Sequence, residues 1–341
     1  MEFLFTLWLG TPLWMWLGFL GLVVLLLALD LGVLHRTTRE IGVRESLLVS
    51  AFYIALALAF GGWVWWHLGE TAGIQYLTGF AIEKSLAIDN VFVIAMIFGY
   101  FAIPRLHQHR VLFWGIIGVL VLRAIMIGVG AAMVERFGWL LYVFAAFLIV
   151  TGIKMWRMAD TPFDVAGSPL LKWVRRRFRV TDTLHGERFW VTQADPATGK
   201  PVRFMTPLFL ALIMVEFVDV VFAVDSVPAI FAITTDPFLV YTSNIFAILG
   251  LRALYFALAA MIERFHYLKY ALAVLLVFIG GKIFAADALG IAKVPPALSL
   301  AITLSILTAG VVVSLWKTRG AAPPSRPIVL ADEAPEPKGL P

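Results

Sequence analysis

An all-α polytopic membrane protein, with about nine transmembrane helices and two inverted three-helix repeats among them, is the fold that the sequence predicts. Three observations predict it. The 341-residue chain is 61% hydrophobic and only 14% charged, whereas a soluble domain carries roughly 25% charged residues. Apolar runs of about 20 residues, the length that crosses a bilayer, recur along it. Strings of mixed acidic and apolar residues occur twice, in the same order. Helices follow because a long apolar run in lipid satisfies its backbone hydrogen bonds internally. The chain has no cysteine, which excludes disulfides and thiolate metal sites. Its net charge of +5 is explained by topology rather than by nucleic acid as a partner.

The predicted spans are Leu13–Val33, Leu47–Trp66, Tyr76–Ile103, Val111–Val134, Trp139–Trp156, Thr206–Ile233, Phe238–Ile262, Leu268–Ala285 and Ala297–Trp316. They divide the chain into an N-terminal two-helix segment (1–75), a first three-helix repeat (76–157), a basic insertion (158–204), a second repeat (205–287), a last helix (288–319) and a tail (320–341). Glu2 stands where a cleavable signal peptide would carry Lys or Arg. Arg36, Arg39 and Arg44 follow the first span, Arg105 and Arg110 the third, Arg264 and Lys269 the seventh, and Lys317 and Arg319 the ninth. The insertion adds Lys172, Arg175, Arg176, Arg177 and Arg179, while the opposite loops hold only Arg136 and Lys293. Positive charge stays on the cytoplasmic side, so the N-terminus is expected outside and the C-terminus inside. Within the insertion, Glu187–Thr192 and Val202–Phe204 flank a Pro- and Gly-containing link and predict a short hairpin. Its basic run reads as a topology anchor, with anionic lipid as the other reading. The Pro- and Ala-rich tail is expected to be disordered.

The repeat rests on three matched pairs. Glu83-Lys-Ser-Leu-Ala-Ile-Asp89-Asn-Val matches Asp219-Val-Val-Phe-Ala-Val-Asp225-Ser-Val. Leu122-Arg123-Ala with Ala132-Met-Val-Glu-Arg-Phe137 matches Leu251-Arg252-Ala with Ala260-Met-Ile-Glu-Arg-Phe265. Trp139-Leu-Leu-Tyr142 with Gly152-Ile-Lys154 matches Tyr267-Leu-Lys-Tyr270 with Gly281-Lys282. An odd number of spans per unit inverts the second copy, and inverted repeats with a midplane site are a transporter architecture.

The candidate site is built from carboxylates. Glu83 and Asp89 fall in the third span, Glu216, Asp219 and Asp225 in the sixth, and Asp30 near the inner end of the first. One such charge at the bilayer centre costs about 2.5 kcal/mol or more, so the acids are expected to face each other, basic partners or a polar cavity. Asp89 and Asp225 are placed nearest the midplane. Glu83 is displaced outward and Asp219 and Glu216 inward, each aspartate lying about 9 Å from its neighbour along the helix. Pro228 leaves two possibilities, a kink or an opening that frees the Val224 carbonyl as a ligand. Ionised, the six acids carry −6, and Lys84, Arg123 and Arg252 return +3 as structural charge partners, so a divalent cation nearly balances the remainder. With Asn90, Ser226 and Asn244, the donor set is oxygen alone. That suits Mg²⁺, Ca²⁺ or Mn²⁺ and suits zinc or copper poorly.

These strings resemble the TerC family of integral membrane proteins, and most of all its Alx-type branch. Gly79–Phe92, Val215–Phe231 and Thr242–Tyr255 carry the resemblance, which extends to about Trp316. It implies a bacterial inner-membrane protein tied to manganese efflux and, historically, to tellurium resistance, grouped with LysE-like exporters. The family's metal-handling acids fall here on Glu83, Asp89, Glu216, Asp219 and Asp225. The expectation is thus a secondary exporter rather than an enzyme, with Mn²⁺ as transported cargo (Ca²⁺ and Mg²⁺ being the other hard ions), H⁺ as counter-ion and no resident cofactor. The rival reading is a membrane scaffold that delivers metal to exported proteins or organises a stress complex. No nucleotide-binding G-x-x-x-x-G-K-[ST] occurs, and the sequence leaves the oligomeric state open.

Overall fold

The long apolar runs become long helices. A computed structural model describes residues 2–32, 43–159, 164–194, 199–258, 267–290 and 294–318. In chain order the helices are α1 (Leu13–Gly32), α2 (Val43–Leu68), α3 (Glu70–Tyr100), α4 (Arg105–Arg136), α5 (Leu140–Arg157), α6 (Pro169–Arg177), α7 (Pro207–Phe231), α8 (Pro237–Ile248), α9 (Leu251–Leu258), α10 (Leu268–Ala288) and α11 (Pro296–Lys317). Two small antiparallel hairpins accompany them: β1 (Leu7–Trp8) with β2 (Thr11–Pro12), and β3 (Trp190–Ala194) with β4 (Pro201–Met205). The second is the hairpin expected in the insertion, with Trp190 opposite Met205. Asp195–Lys200 is described only from Gly199 on, and Ala260–Phe265 and the tail from Gly320 lie outside the described residues.

Seven helical stretches are long and apolar enough to cross a membrane: α2, α4, α5, α7, α8 with α9, α10 and α11. The 31-residue α3 is set apart by Glu70, Glu83, Lys84 and Asp89, and the described side chains of α1 form an apolar stretch over Leu13–Leu29. An all-α polytopic membrane protein is therefore the architecture. Helix α3 lies inside it, packed on α2, α7, α8, α9, α10 and α11. Its charges are thereby kept from lipid, where each would be costly.

Enclosure differs sharply between helices. In α8–α9, 83% of the most apolar stretch is buried, against 22% in α5 and α11. The outer helices present leucine, valine and tryptophan to the surroundings, among them Leu47, Leu48, Val150, Trp156 and Val312. The most intimate pair is α5 with α10. A Cβ at Gly152 would stand 2.7 Å from the Ala273 carbonyl, and one at Gly280 would meet the Ala145 carbonyl. Glycine at both crossings lets the backbones touch, as small residues do between helices in membranes.

Local sequence sets the ends. Asp236 N-caps α8, its Oδ1 accepting from the N–H of Phe238 at 2.8 Å and of Leu239 at 3.4 Å. Thr206 caps α7 in the same way through Phe209 N–H. Span seven departs from expectation. It is broken after Ile248, where Leu249 is extended (φ −55°, ψ 131°) and Gly250 is left-handed at φ +79°. Gly250 also lies under the Tyr53 ring, leaving no room for a side chain. Helix α7 by contrast runs through Pro228 to Phe231, so the interruption falls in α8–α9 and not at the proline.

Candidate functional site

Helical periodicity decides which acids meet. Residues seven apart lie almost on one face, whereas residues six apart are rotated by about 240°. Glu83 and Asn90 thus share a face of α3, and Asp219 and Ser226 share a face of α7, while Asp89 and Asp225 belong to other faces. The two faces meet. Asn90 Nδ2 donates to Asp219 Oδ1 at 3.3 Å, and Glu83 lies beside Ser226. Since Asn90 follows Glu83 and Ser226 follows Asp219, the two motifs run antiparallel here.

Arg123 of α4 stands at the crossing, 2% exposed. Its Nη1 donates to Glu83 Oε1, to Ser226 Oγ (3.3 Å) and to Asn244 Oδ1 of α8 (3.1 Å). Its Nη2 and Nε hold both oxygens of Asp219, at 3.0 and 3.2 Å. A planar guanidinium is suited to such forked recognition. Four helices converge on one cation, which supplies +1 against the −2 of Glu83 and Asp219. Glu83 Oε2 and Asn90 Oδ1 are buried without a hydrogen-bond partner. Unpaired buried oxygens are costly in the protein interior, and these two are acceptors available to a cation. Among the described residues no three acids converge into a preformed metal cage.

The remaining predicted residues surround this centre. Both Asp89 oxygens are buried without a hydrogen-bond partner. The cation whose charge reaches Asp89 is Lys269 of α10, which also lies over the Phe92 ring at 5.8 Å. Asp225 faces Thr151 and Lys154 of α5. Glu216 presses its carboxylate onto Gly118 of α4, where a Cβ would overlap it, and its Oε2 has no partner. Arg252 lines a cavity of about 20 Å³ with Asn90 and Asp219, large enough for one water. Gly115, Ile116, Val119, Val215 and Val218 are among its other walls. Lys84 turns from the acids, and its Nζ donates to the Ala247 carbonyl at 3.1 Å. The Asp30 side chain lies outside the described residues.

Two contributors escape a reading of charges alone. Gly118 makes room for Glu216, and Gly250 breaks α8 from α9. An isolated glycine within an apolar span was the available signal for the second. The insertion fastens to the same end of the bundle as the cavity. Glu187 pairs with Arg110 Nη1 at 3.3 Å and lies 3.7 Å from His109 Nε2, and Arg110 covers the Phe189 ring at 5.0 Å.

A family profile described as "Integral membrane protein TerC family" matches residues 68–322. An uncharacterized membrane protein of Myxococcus xanthus is 47% identical over 312 residues, 92% of this chain and 95% of that one. A protein of Salmonella typhi named "Putative membrane-bound redox modulator Alx" is 46% identical over 316 residues, 90% of this chain and 95% of its own. Its namesake in Escherichia coli K12 is 45% identical over the same length and the same shares. No solved structure matches.

Proposed function

The chain belongs to the TerC family of integral membrane proteins, and from that premise we propose that it is a secondary exporter of divalent cations, with Mn²⁺ as cargo and H⁺ as counter-ion. The observation that carries this reading is the Arg123 centre, in which the two halves of a duplicated acidic motif meet around a single built-in cation. Glu83 and Asp219 form the cargo site, with Asn90, Ser226 and Asn244 as neutral oxygen ligands. A hard divalent ion suits carboxylate, amide and hydroxyl oxygens. Arg123 holds the carboxylates together between cargoes, and Mn²⁺ binding requires it to withdraw. Asp89, Glu216 and Asp225, with Asp30, serve the approach on either side.

Energetics favour proton exchange. Expelling Mn²⁺ from a cell that is negative inside costs about 4.6 kcal/mol at 100 mV. Two H⁺ moving inward per Mn²⁺ outward carry no net charge and cancel that cost. Carboxylates without partners are natural proton carriers. The proposed setting is the bacterial inner membrane, with the N-terminus outside and the insertion and C-terminus cytoplasmic. A static scaffold that hands metal to exported proteins would leave the further buried acids around the centre, Asp89, Glu216 and Asp225, without a use. Redox modulation, as in the names of the Alx relatives, would have to proceed here without a thiol, because the chain has no cysteine. Tellurite is an anion, and an acidic site does not suit it.

The test is Mn²⁺ uptake into inside-out vesicles with an acid interior. Uptake with opposite proton movement is expected, and Glu83→Gln should abolish both. Uptake no greater than in vesicles lacking the protein defeats the exporter reading. Uptake that ignores the pH gradient and follows sodium defeats proton coupling alone.

A further inference from the structure

The break between α8 and α9 creates a second charge problem, away from the acids. Helix α8 ends at Ile248, and Ile245, Phe246, Ala247, Ile248 and Leu249 are all buried. The last carbonyls of a helix have no donor within it and form the negative end of its dipole; in α8 that of Ile245 is met by the Leu249 N–H at 2.9 Å, leaving those of Phe246, Ala247 and Ile248 beyond the helix's own donors. Here that end lies inside the bundle, where unpaired carbonyls are expensive. The ammonium of Lys84 meets it, donating to Ala247 O at 3.1 Å. Among the described residues Lys84 makes no ion pair, and Glu83 beside it in sequence turns instead to Arg123. The site therefore consists of backbone dipoles facing one positive charge, with no carboxylate.

We propose that the C-terminal end of α8 is a monovalent-cation site, occupied in this protein by its own tethered cation, Lys84. Interrupted helices whose carbonyl ends face a cavity coordinate alkali cations in membrane transporters. Carbonyl oxygens suit a hard ion. Without a formal negative charge in the site, a second positive charge has no compensation, so the class is monovalent and Na⁺ is the ion it takes once the ammonium is gone. While Lys84 is in place, sodium is excluded, and this centre operates without it. The inference does not depend on the cargo, and its readout requires no transport.

The experiment is thermal unfolding of the full chain in detergent, titrated with NaCl against choline chloride at constant ionic strength. The wild type should show no difference between the two salts. Lys84→Ala should unfold at lower temperature in choline and recover saturably in sodium, by roughly 5 °C. A simple helix cap predicts the same loss without any sodium-specific recovery, and that result overturns the proposal. So does equal sodium stabilisation of wild type and variant. If Lys84→Ala does not accumulate, Lys84→Met, which keeps most of the stem, is read in the same way. Failure of both to fold in sodium-containing buffer also overturns it, since sodium should fill the gap.

Discussion

Arg123 is held by Glu83, Asp219, Ser226 and Asn244 with almost no exposure, so its partners cannot be removed singly without consequence. Breaking a buried pair leaves an uncompensated charge and costs about 3–5 kcal/mol. Glu83→Gln and Asp219→Asn should each destabilise by that amount, seen as a lower unfolding temperature in detergent. Each should also abolish Mn²⁺ efflux from loaded cells lacking other exporters. Asp89 differs. Its oxygens have no hydrogen-bond partner, so Asp89→Asn should leave stability unchanged or raised while efflux falls. A folded Asp89→Asn with normal efflux would remove that residue from the pathway. Gly118→Ala intrudes on the Glu216 carboxylate and should reproduce the efflux defect of Glu216→Ala. Normal efflux in Gly118→Ala beside a defective Glu216→Ala would show that the contact does not position the acid. The six polar groups of the centre were all legible as ionisable, amide or hydroxyl positions, and a spacing of seven would have selected the common faces of Glu83 with Asn90 and of Asp219 with Ser226. Asp89 and Asp225, expected nearest the midplane, stand on other helix faces than the Arg123 centre, and of their two helices only α3 starts well away from expectation. Helix α3 begins at Glu70 rather than Tyr76, so its midpoint falls at Ser85, and that of α7 falls at Asp219.

At the scale of elements, apolar runs announced the helices well because bilayer thickness and backbone hydrogen bonding leave little choice. The break in α8–α9 was hidden because Leu249 and Leu251 flank Gly250 with ordinary apolar residues, and only the Tyr53 contact and the left-handed backbone reveal it. Gly250→Ala should cost about 1–2 kcal/mol for the left-handed conformation, with an added clash against Tyr53. Combining it with Tyr53→Ala should relieve only the clash, giving a double variant less destabilised than the sum of the singles. Full additivity in thermal unfolding would show that the ring is not what confines Gly250.

For the molecule as a whole, the proposed direction of export requires the N-terminus outside and the insertion cytoplasmic. With no native cysteine to interfere, a membrane-impermeant thiol reagent on intact cells should label Glu70→Cys, at the start of α3, and spare Lys200→Cys beside the β3–β4 hairpin. The reverse pattern would turn the assembly over while leaving the antiparallel crossing of α3 and α7 intact. That crossing would, in a perfect duplicate, make the two faces of the membrane indistinguishable to an ion. The matched strings already differ, Glu83, Lys84 and Asn90 standing against Asp219, Val220 and Ser226, and the interruption at Gly250 adds to the difference. Of the two matched arginines, Arg123 occupies the shared centre, while Arg252, displaced onto the short α9, becomes a wall of the neighbouring cavity. In the proposed exporter, an ion arriving from one side would meet a different sequence of charges from one arriving from the other. The electrochemical gradient alone would fix the net direction of travel, while loading rates from the two compartments would be free to diverge, and the break at Gly250 would help to give the matched segments a front and a back.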